Sequence, residues 1–310
     1  MASSMRVLRG REPVPDHLKG SVLAIGNFDG VHLGHQAVLR REQGLARQLG
    51  APFGAMVFEP HPRQFFQPQK PFFRLTPLER KLELLSEVGL DIAAVVDFDA
   101  GLAGLSARAF VEQLLVGWLG VRHVVVGYDF FFGRGREGAP ELLRQLGAEL
   151  GFGVTVVEPA EEGGIKHSSS RVRDLLREGD AAGAARVLGR PWQVSGTVIG
   201  GAHIGTGLGF PTANIALDPA LELKHGIYAA RVHTDAAPPF GGAAYLGTRP
   251  TFDNGRPLLE VFLLDFDGDL YGRTIRIDLI DRIRDDRAFE SIEALKVQIA
   301  ADVAEIRKRL

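Results

Sequence analysis

The order of strands and helices is the feature of this sequence that most constrains its fold. Between Val22 and Val157, short apolar runs rich in β-branched residues alternate with stretches of helical periodicity. Such alternation predicts an α/β domain, with a parallel sheet covered by helices on both faces. Ligands of this class of fold bind beyond the carboxyl ends of the strands. We therefore expect a site at that edge of the sheet.

The predicted strands of this first half share short length and high apolar content: Val22–Ile25, Phe53–Phe58, Ile92–Val96, Val121–Gly127 and Val154–Val157. The predicted helices between them share an apolar face that repeats at helical spacing: His35–Leu49, Pro77–Val88, Ser106–Leu119 and Pro140–Leu150.

The pattern changes after Ser168. Two short helices are predicted at Ser170–Glu178 and Asp180–Leu188, and the break at Gly189–Pro191 follows. Beyond the break, short strand-like runs are separated by Gly, Pro, Asn and Asp: Val194–Ile199, Gly226–Val232, Ala243–Leu246, Leu258–Leu264 and Thr274–Ile280. These runs predict a small antiparallel β-barrel, closed by a terminal helix over Ser291–Arg309. We therefore expect two domains, residues 1–188 and 189–310.

Composition excludes several classes of protein. The 36 basic and 38 acidic residues give a net charge of -2, which disfavours diffuse electrostatic binding of nucleic acid. The chain has no cysteine, so disulfides, thiolate metal sites and a cysteine nucleophile are excluded. No apolar run approaches the ~20 residues that span a bilayer, and the polar start is unlike a signal peptide. We expect a cytoplasmic protein, monomeric or weakly homo-oligomeric, that binds small molecules but neither nucleic acid nor membranes.

A glycine- and histidine-containing loop follows the first predicted strand. It reads Gly26-Asn27-Phe28-Asp29-Gly30-Val31-His32-Leu33-Gly34-His35 and leads into a predicted helix. Glycines let the backbone approach a phosphate, and a helix N-terminus presents free N–H groups to it. His32 and His35, one helical turn apart, can donate hydrogen bonds as charge develops on phosphoryl oxygens. A metal-binding pair or two surface histidines is the alternative interpretation.

A second glycine motif supports a different hypothesis. Gly133–Gly138 fits G-x-G-x-x-G between a strand and a helix, and Glu158 ends the next predicted strand. This context is typical of dinucleotide binding. However, that fingerprint belongs to the first βαβ unit, where this chain carries the histidine loop instead.

Several different short motifs follow one another along the chain. In the first half they are G-x-F-D-G-x-H-x-G-H, Phe58–Arg63, Leu75–Pro77, Val126–Gly133 and Ser168–Arg173. In the second half they are Gly196–Gly200, the glycine loop ending in Pro211-Thr212-Ala213-Asn214, Gly247–Phe252, Glu260–Phe266 and Asp269–Gly272. With these motifs, nearly the whole chain resembles the bacterial bifunctional riboflavin kinase/FMN adenylyltransferases, also called FAD synthetases.

The resemblance implies an adenylyltransferase site in the first domain. His32 and His35 would be catalytic, and the residues implied to bind ATP with them are Gly26, Asn27, Phe28, Asp29, Gly30, Ser169, Ser170 and Arg173. The residues implied to bind the flavin are Phe58, Pro60, Pro62, Asp129 and Phe130. An apolar loop that packs on the core is the alternative for Phe58, Pro60 and Pro62. Phe131 stands where relatives often carry a polar or basic residue.

The resemblance implies a kinase site in the second domain. The glycines implied to bind ATP are Gly200, Gly205, Gly207 and Gly209. Thr212 and Asn214 would bind Mg²⁺ as well as ATP, and oxygen ligands of this kind suit that ion. Glu260 would be the catalytic base, and Arg284 and Phe289 would contact the flavin. Thr206 stands where relatives often carry a basic residue, and Asp286 replaces an expected Glu.

The implied function is FAD biosynthesis in two steps. Riboflavin and MgATP would give FMN, and FMN with a second ATP would give FAD and pyrophosphate. Two alternatives come from other classes of protein. One is a flavin- or nucleotide-binding regulator with kinase activity weakened or lost, which Thr206 and Phe131 would favour. The other is a tRNA synthetase-like adenylating enzyme with an H-x-G-H motif, although the chain lacks a K-M-S-K-S loop.

Overall fold

The computed structural model describes residues 5–159, 161–162, 165–200, 212–235, 238–248 and 257–310. The chain divides into two compact units, Met1–Ser169 and Ser170–Leu310. In the described parts of the chain, no helix is both long enough and apolar enough to cross a membrane.

The first unit contains a parallel sheet with the strand order β1-β4-β3-β2-β5-β6. Its strands are β1 (Arg6–Arg9), β2 (Val22–Ile25), β3 (Phe53–Glu59), β4 (Ile92–Asp97), β5 (His123–Gly127) and β6 (Gly153–Val157). The expected parallel α/β class is confirmed. Sequence reasoning missed β1 because arginines at both ends of this edge strand leave no apolar run.

Helices cover both faces of this sheet: α1 (Leu33–Leu49), α2 (Pro62–Phe66), α3 (Leu78–Val88), α4 (Ala100–Gly104), α5 (Ala107–Phe110, continued by a π-helix over Val111–Trp118) and α6 (Pro140–Leu150). Alternate residues of β2 belong to two separate cores: Leu23 and Ile25 to one, Val22 and Ala24 to the other. A strand buried on both faces reads as a continuous apolar run, which is why β2 was predictable. A short ladder of β7 (Glu161–Glu162) with β8 (Ile165–Lys166) completes this part of the chain.

The strand order locates the expected site. From β2 the chain proceeds to β3 and β4 on one side, and then crosses to β5 and β6 on the other. The order therefore reverses between β2 and β5, and ligands of open α/β sheets bind at such a switch point. The loop after β2 carries His32 and His35, so the sheet places the histidine motif at this position.

The second unit is built around a closed antiparallel barrel with the order β10-β13-β12-β11-β14-β9. Its elements are α7 (Ser169–Glu178), α8 (Ala181–Leu188), β9 (Trp192–Ile199), β10 (Thr212–Ala216), β11 (Gly226–His233), β12 (Phe240–Thr248), β13 (Pro257–Leu263), β14 (Thr274–Arg284) and α9 (Ile292–Arg309). The predicted barrel and terminal helix are confirmed. Thr212–Ala216 was expected as the end of a loop but is a strand, because Ala213 and Ile215 pack on one face while polar residues occupy the other.

Helix α8 packs against β9 and β14 of the barrel. Its buried residues include Ala184, Val187 and Leu188, and Gly189 ends it with a positive φ of 75°. The compact unit thus includes α8, whereas the functional boundary that we expect between residues 188 and 189 stays a prediction.

Candidate active sites

The histidine loop has an uncommon backbone conformation. Phe28 and Val31 adopt positive φ angles of 48° and 40°, a region that non-glycine residues enter at a cost in free energy. Both side chains are 1% exposed, so burial in the core holds the loop in this shape. Phe28, which the resemblance assigns to ATP binding, is a core residue whose ring centroid lies 5.1 Å from that of His35.

Asp29 fastens this loop to the segment that precedes α3. Its carboxylate is buried, and Oδ1 accepts hydrogen bonds from the backbone N–H groups of Leu75 and Thr76, both at 3.1 Å. The Thr76 hydroxyl also lies 3.3 Å from Oδ1, and it accepts a hydrogen bond from the N–H of Gly30 at 3.0 Å. Asp29 therefore shapes the loop from behind. Sequence reasoning missed the role of Thr76, for which the only signal was the Leu75–Pro77 match.

His32 and His35 lie together at the N-terminus of α1. Their rings are stacked, with centroids 3.6 Å apart and planes inclined by 22°. His32 is the N-cap of the helix, and its Nδ1 accepts a hydrogen bond from the backbone N–H of His35 at 3.3 Å. Because Nδ1 is the acceptor, neutral His32 carries its proton on Nε2. A hydrogen-bond donor on this ring is thus fixed by the fold.

The segment before α7 lies against the same loop. A Cβ atom at Gly34 would come within 2.8 Å of the carbonyl oxygen of His167 and 3.0 Å of the His32 ring. Ser169 donates a hydrogen bond from its hydroxyl to the Asp29 carbonyl at 2.8 Å. The structure therefore brings Ser169 to the histidine loop.

Two other residues of the expected ATP site belong to the second unit. Ser170 is exposed on the first turn of α7, and Arg173 is buried one turn later. Their contact with ATP stays a prediction.

Asn27 supplies an enclosed acceptor beside the histidines. Within the described residues, its Oδ1 is buried and has no hydrogen-bond partner. A buried polar atom of this kind calls for an explanation, and a ligand that donates a hydrogen bond supplies one. Gly26 precedes it, and a Cβ there would lie 3.3 Å from the Phe28 ring.

The expected flavin residues lie at the end of β3, directly after β3, and after β5. These two strands flank β2. Phe58 is buried in the core, with its ring 5.9 Å from Phe98. Phe130 is half-buried and stacks on Phe132 with centroids 5.5 Å apart.

The remaining residues of this group are more accessible. Pro60 and Asp129 are exposed, and Pro62 is half-buried at the start of α2. These segments bracket the histidine loop, whereas contact with the flavin stays a prediction.

The G-x-G-x-x-G segment forms a closed turn. Phe132 and Gly138 pair with each other across it, and Glu137 accepts a hydrogen bond from the Ala107 N–H at 2.7 Å. Helix α6 begins only at Pro140, so the glycines do not lead directly into a helix N-terminus. The turn therefore lacks the arrangement that dinucleotide binding requires.

The second candidate site lies on the barrel wall. Strand β10 pairs with β13 so that Asn214 lies directly opposite Glu260, and Thr212 lies opposite Phe262. Because side chains alternate along strands, Thr212, Asn214 and Glu260 share one face. Asn214 and Glu260 are 5% and 8% exposed, so both polar side chains are largely removed from water. The register of the barrel brings together three site residues that are distant in sequence.

This face fits a magnesium ion. The Oδ1 atom of Asn214 is buried without a hydrogen-bond partner in the described residues, and Thr212 is half-buried beside it. Amide, hydroxyl and carboxylate oxygens are the donors that hard divalent cations prefer. Gly200 follows Ile199, which pairs with Asn214, so the start of the glycine loop adjoins this face. Gly205, Thr206, Gly207 and Gly209 lie outside the described residues.

Arg284 and Phe289 are neighbours, with the guanidinium 5.7 Å from the ring centroid. Arg284 also makes a two-pronged ion pair with Asp302 of α9, with Nε–Oδ1 at 3.0 Å and Nη2–Oδ2 at 2.8 Å. The arginine thus fastens the terminal helix to β14, and its expected flavin contact stays a prediction. Sequence reasoning missed Asp302, although an acidic residue on the apolar face of a helix was a usable signal.

Tyr245 connects this region with Glu260. It lies opposite Glu260 on β12, and its hydroxyl donates a hydrogen bond to Asp286 at 2.9 Å. The segment that contains Arg284 and Phe289 is therefore adjacent to the face that carries Glu260.

Comparison with known proteins matches both halves of the chain. Residues 14–171 match the FAD synthetase family, and residues 188–310 match the riboflavin kinase family. The bifunctional riboflavin kinase/FMN adenylyltransferase of Escherichia coli strain K12 is 44% identical over 284 residues, which is 92% of this chain and 91% of the relative. The chain belongs to the bifunctional riboflavin kinase/FMN adenylyltransferase family.

Other relatives agree with this assignment. The bifunctional riboflavin kinase/FMN adenylyltransferase of Pseudomonas fluorescens is 40% identical over 304 residues, covering 98% of this chain and 97% of the relative. A crystal structure of a Streptococcus pneumoniae protein, named a macrolide-efflux protein, shares the fold with a TM-score of 0.88 and 28% identity. The match covers 97% of this chain and 98% of the Streptococcus pneumoniae chain.

As a member of this family, the chain phosphorylates riboflavin to FMN and adenylylates FMN to FAD, with ATP as the substrate of both steps. The predicted enzyme class and flavin substrates are confirmed. Because the chain belongs to this family, we reject the interpretations as a dinucleotide-binding protein and as a tRNA synthetase-like enzyme. Nothing in the comparisons favours a regulator with kinase activity weakened or lost.

Proposed function

We propose that the histidine loop at the edge of the parallel sheet is the adenylyltransferase site, and that the barrel face with Asn214 and Glu260 is the kinase site. The stacked pair of His32 and His35 at a helix N-terminus carries the first assignment. The direct opposition of Asn214 and Glu260 carries the second. The division of labour follows the expected boundary between residues 188 and 189.

In the adenylyltransferase site, a phosphate oxygen of FMN attacks the α-phosphorus of ATP. A new P–O bond forms, the bond to the β-phosphate oxygen breaks, and pyrophosphate leaves. Nε2–H of His32 and the His35 ring donate hydrogen bonds to the phosphoryl oxygens as negative charge grows there. The positive end of the α1 helix dipole adds to this stabilisation. Asn27 accepts a hydrogen bond from the bound substrate, and Ser169, Ser170 and Arg173 hold the departing phosphates.

In the kinase site, Glu260 accepts the proton of the ribityl hydroxyl as that oxygen attacks the γ-phosphorus of ATP. A new P–O bond forms, the bond from the γ-phosphorus to the bridging oxygen breaks, and ADP leaves. Thr212 and Asn214 would hold a magnesium ion, which neutralises phosphate charge when it is bound. Burial of Glu260 keeps its carboxylate away from bulk water, so it is positioned to take a proton from the substrate. The resemblance assigns the phosphates of this ATP to Gly200, Gly205, Gly207 and Gly209, and the last three lie outside the described residues.

The flavin has a separate place in each site. We assign the isoalloxazine of FMN to the end of β3 and to the segments after β3 and β5, through Phe58, Pro60, Pro62, Asp129 and Phe130. We assign riboflavin to the side of the barrel that carries Arg284 and Phe289, next to Glu260. The enzyme would work in the cytoplasm, where ATP is available, as a monomer or weak homo-oligomer.

The decisive experiment gives riboflavin and MgATP to the full-length protein and separates the flavins by chromatography. Wild type should reach FAD. His35→Ala should stop at FMN, because the loss of one donor to the transition state slows the step by roughly 100-fold or more. The matched control is His17→Ala, which removes an exposed histidine of the same unit. If His35→Ala stops at riboflavin instead, the two sites are assigned the wrong way round.

A further inference from the structure

A lysine is buried behind the histidine loop. Lys81 lies on the first turn of α3 and is 2% exposed. Lysine is almost never buried to this extent unless opposite charges lie nearby. The charged groups that act on it are Asp29 and Glu59, which attract its ammonium, and Arg74, which repels it.

Lys81, Asp29, Glu59 and Arg74 make up one network of charges, and the three partners of Lys81 are fixed by hydrogen bonds of their own. Asp29 holds the loop to Leu75 and Thr76, as described above. Arg74 binds Glu59 at 2.6 Å and Gln64 at 2.8 Å. With Lys81 protonated, the two carboxylates and the two cations cancel. Without its charge, the network carries one excess negative charge beside the loop.

An excess negative charge matters at this place because the ligand of the loop is a polyanion. Charges interact over several ångströms when they are shielded from water, and Asp29 is itself only 2% exposed. An uncompensated carboxylate behind the loop would repel the triphosphate of ATP. It would also weaken the attraction that keeps Asp29 on the segment leading to α3.

We propose that Lys81 is a positioning residue of the adenylyltransferase site, whose ammonium balances Asp29 and Glu59 so that the histidine loop accepts the triphosphate of ATP. This proposal rests on the assignment of the histidine loop to FMN adenylylation. Lys81 acts through Asp29, and its contribution is made to ATP binding more than to the chemical step.

The pH dependence of adenylylation provides a signature. Burial lowers the pKa of Lys81, and repulsion by Arg74 adds to this effect, whereas attraction by Asp29 and Glu59 opposes it. The charged form of lysine is the protonated form, so Lys81 loses its charge as the pH rises through this lowered pKa. The apparent affinity for ATP in adenylylation should therefore fall on the alkaline side before an exposed lysine would titrate.

The experiment compares Lys81→Met, Lys81→Arg and Lys70→Met in the full-length protein, with FMN supplied so that the kinase step is bypassed. Lys70 is exposed in the turn before α3, so its variant removes a lysine charge from the same unit without touching the network. Lys81→Met should raise KM for ATP by roughly tenfold or more, with a smaller change in kcat, and should flatten the alkaline fall of kcat/KM. Lys81→Arg should restore KM and move that fall to higher pH. Lys70→Met should behave as wild type, and riboflavin kinase activity should stay unchanged in every variant.

Three results would overturn the proposal. The first is an unchanged KM and pH profile for Lys81→Met, and the second is a loss of kcat alone with the alkaline fall intact. If Lys81→Met unfolds the first unit, the comparison of wild type with Lys81→Arg decides the question. An identical alkaline fall of kcat/KM in these two proteins is the third result. His35→Ala separates this proposal from the site assignment. If that variant keeps adenylylation, the assignment fails; if it loses adenylylation while Lys81→Met is neutral, only the role of Lys81 fails.

Discussion

The histidine loop and the barrel face are assembled in opposite ways. The loop is one continuous stretch of chain, and residues far away in sequence, such as Thr76 and Ser169, hold it in place by hydrogen bonds. On the barrel face, Asn214 and Glu260 come from different strands and meet because of register. The sequence of a contiguous motif therefore shows its chemistry but not the residues that hold it in place. A site formed by strand register can be recognised only once the pairing of the strands is known.

The two sites also differ in what a substitution should disturb. Positive φ angles at Phe28 and Val31 mean that the loop keeps its shape only while burial and the Asp29 hydrogen bonds persist. Asn214 and Glu260 lie on regular paired strands, so their backbone conformation does not depend on support of this kind. Distant changes should thus affect adenylylation through loop shape, while the kinase should respond mainly to residues on its own face.

The largest expected effect is at the barrel face. Glu260→Gln should reduce FMN formation by roughly 100-fold or more, because general base catalysis contributes that order of rate. The same preparation should still convert supplied FMN to FAD. Glu293→Gln, at an exposed position of α9, is the control. Kinase turnover close to that of wild type would exclude Glu260 as the base and leave it a structural residue.

A smaller effect is expected when the support of the loop is weakened. Asp29→Asn places an NH₂ group opposite the N–H of Leu75 or Thr76, so part of the fastening is lost. Loss of a charged hydrogen bond costs about 1.5–3 kcal/mol, which corresponds to roughly tenfold or more in adenylylation. Kinase activity should be unchanged, and Asp16→Asn, at an exposed position, controls for charge. A parallel fall in both activities would contradict the independence of the two regions.

The contrast explains which parts of the molecule could be predicted from the sequence. Strands buried on both faces, such as Val22–Ile25, and the histidine loop are local signals. Thr212–Ala216 was missed as a strand because the alternation of Thr212 and Asn214 with apolar residues extends over only five positions. The partners of Asp29 and the network of Lys81 were missed because they depend on tertiary contacts between segments that no local pattern relates.

The domain boundary can be tested with two fragments. Helix α8 packs on β9 and β14, so a fragment of residues 170–310 should retain riboflavin kinase activity within a few-fold of the full chain. A fragment of residues 189–310 exposes the surface that α8 covers, and its Tm should be several degrees lower. Kinase assays measure the activity of each fragment, and thermal unfolding measures its Tm. Equal stability of the two fragments would show that α8 is not part of the folding unit, and FAD synthesis by either would overturn the division of labour.

The smallest effect concerns stability of the first unit alone. Glu42 of α1 is fully buried, and its Oε1 accepts a hydrogen bond from the Gly54 N–H at 2.8 Å. Burial raises the pKa of Glu42 well above its usual value, although the hydrogen bond from the Gly54 N–H opposes this shift. A raised pKa in the folded state means that the stability contributed by Glu42 is complete below the unfolded pKa of about 4.3 and is lost as the pH rises through the folded pKa.

Glu42→Gln keeps an acceptor for Gly54 but cannot ionise. Its Tm should match that of wild type near pH 4 and exceed it increasingly as the pH rises, by roughly 2–4 °C for each kcal/mol of difference. Both activities should stay unchanged, because Glu42 lies beneath the sheet strands and not in the loop. Unfolding followed by circular dichroism from pH 4 to 9 measures the effect, with Glu79→Gln, exposed on α3, as the control. A difference in Tm that does not vary with pH would mean that Glu42 influences stability through packing and not through its ionisation.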